Sequence, residues 1–137
     1  MCVFNVVVVE DSEIEMGLLS HIVENVGNVK LYAFATGLEA LKFINEKHEF
    51  SIDMVLSDWQ LPDVDGLILL KSFRENYPTQ PFYMVTAHSS VSLVQKSKRA
   101  KASGFISKPY STANLITLIE KWQKKHSSEQ TPLKAKL

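Results

Sequence analysis

Cysteine occurs once in the 137 residues, at Cys2, so no disulfide can form within the chain and a reducing compartment is the default setting. No apolar run approaches the roughly 20 residues needed to cross a bilayer. The start also lacks the charged-then-apolar layout of a signal peptide. No membrane insertion is expected, and the expected location is cytoplasmic. There is no internal repeat, and nothing is low-complexity before the last dozen or so residues. Net charge is missing too, because 15 basic and 15 acidic residues cancel. The cancellation is uneven. Residues 1–95 hold 13 acidic and 5 basic side chains, and residues 96–137 hold 2 acidic and 10 basic. The pattern fits two solvated faces of opposite sign, or an acidic site in the first half and a basic contact surface in the second.

What is present is a strict alternation. Residues 3–9 are nearly all apolar and β-branched, the pattern of a strand buried on both faces. Ser12 with Glu15 has capping-box spacing at a helix start, and Ile14, Leu18, Leu19, Ile22, Val23 and Val26 follow at helical spacing up to Gly27-Asn28. Residues 29–34 form a second expected strand. Thr36 with Glu39 opens a second helix carrying Leu38, Leu41 and Ile44 and ending near His48. Residues 52–57 form the third strand, and Asp65 caps a third helix with Leu67, Leu70 and Phe73 inward. Residues 81–86 form the fourth strand, and residues 89–101 a helix with a thin apolar face of Val91, Val94 and Ala100. A short strand at 105–106 and a helix capped by Ser111, with Leu115, Leu118, Ile119 and Trp122 inward, complete the pattern. The expected organisation is one domain over residues 1–125 and a polar, frayed tail over 126–137. Alternation of this kind predicts an α/β fold: a doubly wound, flavodoxin-like sheet of five parallel strands in order 2-1-3-4-5, with five helices on its two faces.

In such a sheet, ligand chemistry gathers at the carboxyl ends of the strands. There the first strand delivers Glu10 and Asp11, the third Asp58, the fourth Thr86 and the fifth Lys108. Three carboxylates in one place repel one another unless a cation joins them, and hard oxygen donors suit Mg²⁺. Lys108 adds a positive charge and Thr86 a hydroxyl donor. This is equipment for a phosphoryl group carried on Asp58, since phosphoryl transfer asks mostly for positioning and charge stabilisation, and a carboxylate can be the nucleophile.

Taken together, Glu10-Asp11, Asp58 followed by Pro62 and Asp65-Gly66, Thr86-Ala87 and Lys108-Pro109 resemble the receiver domain of two-component response regulators, most closely the stand-alone chemotaxis-type receivers. The likeness covers roughly residues 3–125. It implies that Asp58 accepts phosphate from a sensor histidine kinase or phosphotransfer protein. It implies that Asp11 and Asp58 bind Mg²⁺, with Glu10 acting through water and the backbone carbonyl of Gln60 as a further ligand. Lys108 would pair with the phosphoryl group, Thr86 would swing toward it, and Phe105 would be the switch aromatic that buries itself in response. Ala87 would leave access to Asp58, and Gln60 and His88 would tune phosphate loss. A receiver of this kind accepts and loses phosphate without being a turnover enzyme.

The chain departs from the family pattern in places. Glu10, where chemotaxis receivers most often have aspartate, lengthens the outer metal contact by one methylene. Phe105 lacks the hydroxyl of a tyrosine. Lys101 stands where glycine is usual, and a left-handed backbone would cost a lysine more than a glycine. In the resembled family, partners dock on the surface from the fourth helix through the fifth strand to the fifth helix. That places an unknown downstream protein near Lys96, Lys98, Arg99 and Phe105. Direct nucleic-acid binding is not expected, because this basic cluster lacks interleaved aromatics and a reader motif.

Singly, each residue has a plainer reading: Glu10-Asp11 would favour a helix N-terminus, and Lys108 would be a solvated charge. The alternatives are a receiver-shaped interaction module that does not switch, and the receiver piece of a longer regulator or hybrid kinase. A phosphatase of the haloacid dehalogenase type would want an aspartate where Gln60 stands. A flavin site would want a glycine- or hydroxyl-rich loop where Glu10-Asp11-Ser12 stands.

Overall fold

The computed structural model describes residues 3–87 and 90–135, with side chains described through residue 128. The elements in chain order are β1 (Phe4–Val9), α1 (Glu13–Glu24), β2 (Val29–Phe34), α2 (Gly37–Asn45), β3 (Met54–Ser57), α3 (Gly66–Asn76), β4 (Phe82–Thr86), α4 (Val91–Arg99), β5 (Gly104–Ser107) and α5 (Thr112–Ala135). All strands are parallel, in the order β2-β1-β3-β4-β5, as the alternation predicted.

The central strands are buried on both faces, so their alternate residues supply two cores. Val6 and Val8 of β1, Met54 and Leu56 of β3 and Tyr83 and Val85 of β4 face Leu19, Ile22 and Val23 of α1 and Leu115 and Ile119 of α5. Val7 and Val9, Val55, Phe82 and Met84 face Ala40 and Ile44 of α2 and Leu69, Leu70 and Phe73 of α3. Each Val, Leu, Ile, Phe or Met side chain among them contributes about 1.5–3 kcal/mol by leaving water. This continuous apolar floor holds the loop residues at the carboxyl edge in fixed relative positions.

Helix starts are set by side-chain oxygens. Ser12, Thr36, Asp65 and Ser90 accept from the backbone N–H groups of Glu15, Glu39, Leu67 and Leu93, and Ser111 accepts from that of Asn114. The capping box expected at Ser12 and Glu15 is only half formed. The Ser12 N–H donates to Glu10 Oε2 at 3.2 Å, which leaves the Glu15 carboxylate free to reach elsewhere.

Three other expectations shift. On α4 the inward residues are Leu93 and Ser97, whereas Val91 is 75% exposed and Val94 is also exposed. Val91, Leu93 and Val94 are all apolar and clustered at the start of the helix, so their spacing alone does not single out the inward residue, and packing sets the rotation. Likewise Ile14, Leu18 and Leu38 face outward. Finally, α5 continues past His126 to Ala135, through residues expected to fray. The His126 ring packs against Phe4 with centroids 5.7 Å apart, and this contact ties that part of the helix to the sheet.

Lys101 has φ 69°, the left-handed region in which glycine is favoured. Its carbonyl accepts from Arg74 Nε at 2.8 Å, and the same guanidinium donates to the Tyr77 carbonyl and the Ser103 hydroxyl. Arg74 thus fastens the turn after α4 to the end of α3.

Candidate functional site

Strand register brings the expected residues to one edge. Val9 pairs with Ser57, Ser57 with Met84, and Thr86 with Ser107. The residues that follow these ends, Glu10, Asp58 and Lys108, therefore emerge together beside Thr86. Asp58 is tied to β1 by its N–H, which donates to the Val9 carbonyl at 3.0 Å, and Lys108 to β4 by its N–H to the Thr86 carbonyl at 2.9 Å. The loop after Asp58 is closed by the Gly66 N–H on the Trp59 carbonyl at 2.9 Å. A Cβ at residue 66 would lie 2.6 Å from the Asp58 carbonyl oxygen and 3.0 Å from Trp59 Cα, so only glycine permits this closure. The Asp63 carboxylate accepts from the N–H groups of Gly37 and Leu38, both at 2.9 Å. These bonds pin the same loop to the start of α2.

Lys108 Nζ lies 2.6 Å from Glu10 Oε1, 3.1 Å from Asp58 Oδ2 and 3.1 Å from Glu15 Oε1. Asp58 Oδ1 accepts from the Gln60 N–H at 3.2 Å. Glu10, only 2% exposed, is pushed above the usual carboxylate range by burial, against the opposing pull of Lys108 and the Ser12 N–H. Burial also works against the Lys108 charge, but its bonds to Glu10, Glu15 and Asp58 outweigh that and hold it above the usual lysine range. Lys108 is therefore an ammonium at any ordinary pH.

Carboxylate oxygens of Glu10, Asp11 and Asp58 all lie within 4.8 Å of one another. Like charges 4 Å apart repel by about 1 kcal/mol in bulk water and several times more near a protein surface. One ammonium among these three carboxylates and Glu15 leaves an excess of negative charge that a divalent cation would neutralise. The donor set is all hard oxygen, mostly covered at Asp58 and open at Asp11, which suits Mg²⁺ with part of its water shell retained. The residues present therefore fit that ion.

The other expected residues are distributed around this centre. Thr86 is buried at the end of β4, Ala87 is exposed, and Gln60 is exposed in the loop after Asp58. Phe105 is half-buried and packs against the core beneath α2 and α3. The expectation for His88 falls outside the described residues. A pocket of about 330 Å³ beside Lys108 is lined by Glu15, Leu18, Ala87, Pro109 and Tyr110. Sequence reasoning missed Glu15 as a site residue because it accounted for that carboxylate by the capping box. Its place in the first turn of the helix that leaves the carboxyl edge was the available signal.

Comparison with known proteins gives a consistent picture. Residues 6–120 match the family model described as the response regulator receiver domain. The chain is 31% identical over 120 residues to the polar-differentiation response regulator DivK of Brucella ovis, covering 86% of this chain and 94% of that protein. It is 33% identical over 117 residues to the DNA-binding transcriptional regulator NtrC of Proteus hauseri, covering 85% of this chain. There it spans only about a quarter of the relative, 24% of its length. Among solved structures, the CheY-like response regulator receiver domain protein of Methanospirillum hungatei superposes with a TM-score of 0.81 at 26% identity, covering 92% of this chain and 98% of that one.

Proposed function

Because the chain belongs to the response regulator receiver family, we propose that Asp58 is its phosphoacceptor and that the protein signals by the change this modification causes. The observation that carries the reading is the convergence of Glu10, Asp11 and Asp58 at one edge, with Lys108 Nζ 3.1 Å from Asp58 Oδ2.

In the transfer, an Asp58 carboxylate oxygen attacks phosphorus, and the P–N bond to the imidazole of a sensor kinase or phosphotransfer protein breaks. The imidazole leaves with the bonding pair and takes up a proton. Lys108 is poised to hold an equatorial phosphoryl oxygen, and the Gln60 N–H orients the attacking carboxylate. Asp11 and Asp58, with the Gln60 carbonyl and with Glu10 through water, would hold Mg²⁺, which supplies charge neutralisation on the transferring group. Thr86, at the end of β4, donates its hydroxyl to the new phosphoryl group.

Phe105 pairs with Met84, two residues before Thr86, and the surface it borders carries the signal. A groove of about 440 Å³ on that side is lined by residues that include Tyr83, Phe105, Tyr110, Asn114, Leu115 and Leu118. Helix α4 exposes Val91 and Val94 as well as Lys96, Lys98 and Arg99. These side chains suit an acidic protein partner with an apolar anchor. The protein acts as a cytoplasmic switch rather than a turnover enzyme; no helix among its described residues is long and apolar enough to cross a membrane.

The test is intact-mass analysis after incubation with acetyl phosphate, with and without Mg²⁺, on wild type and Asp58→Ala. One phosphate-sized adduct on wild type alone, dependent on Mg²⁺, is the expected result. No adduct on folded wild type, or an adduct that survives in Asp58→Ala, overturns the proposal.

A further inference from the structure

An ammonium has three N–H donors; Lys108 donates to Glu10 Oε1 and Asp58 Oδ2, and Glu15 Oε1, 3.1 Å away, is its third ion-pair partner. A phosphoryl group on Asp58 must compete with these carboxylates for the Lys108 ammonium, and the partner released most easily yields first. Glu10 is 2% exposed, so releasing it would leave a buried carboxylate without its cation, the most expensive choice. Asp58 is the residue being modified and remains beside the lysine. Glu15 is different. Its side chain is 46% exposed, it sits in the first turn of α1 at the rim of the pocket beside Lys108, and water can solvate it when it leaves.

We propose that Glu15 is a positioning residue that pairs with the Lys108 ammonium in the unmodified protein and gives that pairing up when phosphate arrives. The inference rests on the reading of Asp58 as phosphoacceptor. Glu15 holds Lys108 over Asp58 in the resting state and competes with the phosphoryl oxygens afterwards. Its own negative charge also opposes the arriving dianion. Both effects weaken phosphoryl binding, and both act through exposed charge, so they are modest and sensitive to salt. Glu15 thereby sets how readily a small anionic donor is accepted.

The probe is beryllofluoride, a phosphoryl mimic, titrated with saturating Mg²⁺ into wild type, Glu15→Gln, Glu15→Asp and Asp58→Ala, with thermal unfolding of each as the check on folding. Glu15→Gln is expected to bind roughly two- to five-fold more tightly than wild type, the range of an exposed ion pair. Glu15→Asp keeps the charge and stays within about twofold of wild type. The advantage of Glu15→Gln shrinks at high salt, which a purely structural role for Glu15 would not produce. Equal or weaker binding by folded Glu15→Gln overturns the inference while leaving the phosphoacceptor reading intact. Failure of wild type itself to bind in an Asp58-dependent way overturns the reading beneath it.

Discussion

Glu10 leaves β1 at the carboxyl edge of the sheet, and Asp53 enters β3 at the opposite edge. Both carboxyls are buried, at 2% and 3% exposure, and burial pushes both above their usual range. Their surroundings differ. Asp53 Oδ2 accepts from the Asn5 N–H at 2.8 Å, and the Asp53 N–H returns a bond to the Asn5 carbonyl. Its Oδ1 has His126 Nδ1 as its ion-pair partner at 3.6 Å, beyond hydrogen-bond reach. Asp53 is thus a lone carboxylate clasping β1 to β3. Glu10 instead shares its lysine with two further carboxylates, and a third, Asp11, stands beside them. A buried acid answered by backbone donors is scaffold. A cluster of acids with more negative charge than the fold neutralises is where a cation would fit, and here it surrounds the residue proposed to carry the phosphoryl group.

The largest effect that separates the two edges is expected at Gly66. A methyl group there drives into the Asp58 carbonyl and displaces the loop. Gly66→Ala should cost about 1–3 kcal/mol of stability and lower phosphate incorporation more than about tenfold. Denaturant unfolding and the intact-mass assay measure the two.

A smaller effect is expected in the pH dependence at the opposite edge. Asp53 has a folded-state pKa above the ordinary 3.8, so its contribution to stability is whole below that pH and is lost as pH rises through the folded value. Asp53→Asn cannot ionise. Chemical denaturation across pH should therefore show the variant gaining on wild type as pH rises above about 4, with or without Mg²⁺. Glu10→Gln should gain on wild type in the same direction in metal-free buffer, above its ordinary 4.5. Mg²⁺ should shrink that gain, because the cation favours ionised carboxylates at that edge alone.

The smallest effect is expected at Lys101, where glycine relieves the left-handed backbone at φ 69°. Lys101→Gly should raise stability by about 0.5–1 kcal/mol and leave phosphate incorporation unchanged.

The strand alternation, the sheet order and the residues at the carboxyl edge were legible because each is written locally: an apolar run, then a polar residue where the run stops. Ser12, Thr36, Asp65 and Ser111 were legible as caps for the same reason. The inward face of α4 was not, because Val91 and Val94 are as apolar as Leu93, and only packing chooses among them. Glu15 was hidden because its local partner and its tertiary partner compete, and Lys108, far along the chain, wins. Asp53 gave no signal at all. It lies at the start of an expected strand, and its bond to Asn5 exists only once β1 and β3 pair. The seating of α5 at His126 likewise involves a ring, Phe4, from the other end of the chain.

Two tryptophans report on the two edges separately. Trp59 follows Asp58, while Trp122 donates to the Tyr83 hydroxyl at 3.0 Å and lines the cavity that holds Asp53 and His126. The most direct measurement is a fluorescence titration with Mg²⁺ of Trp122→Phe, in which Trp59 alone reports, beside Trp59→Phe, in which Trp122 alone reports. A saturable change in the first protein and none in the second is the predicted result. A change confined to Trp122, or none at either ring, would contradict a cation site built on Glu10, Asp11 and Asp58.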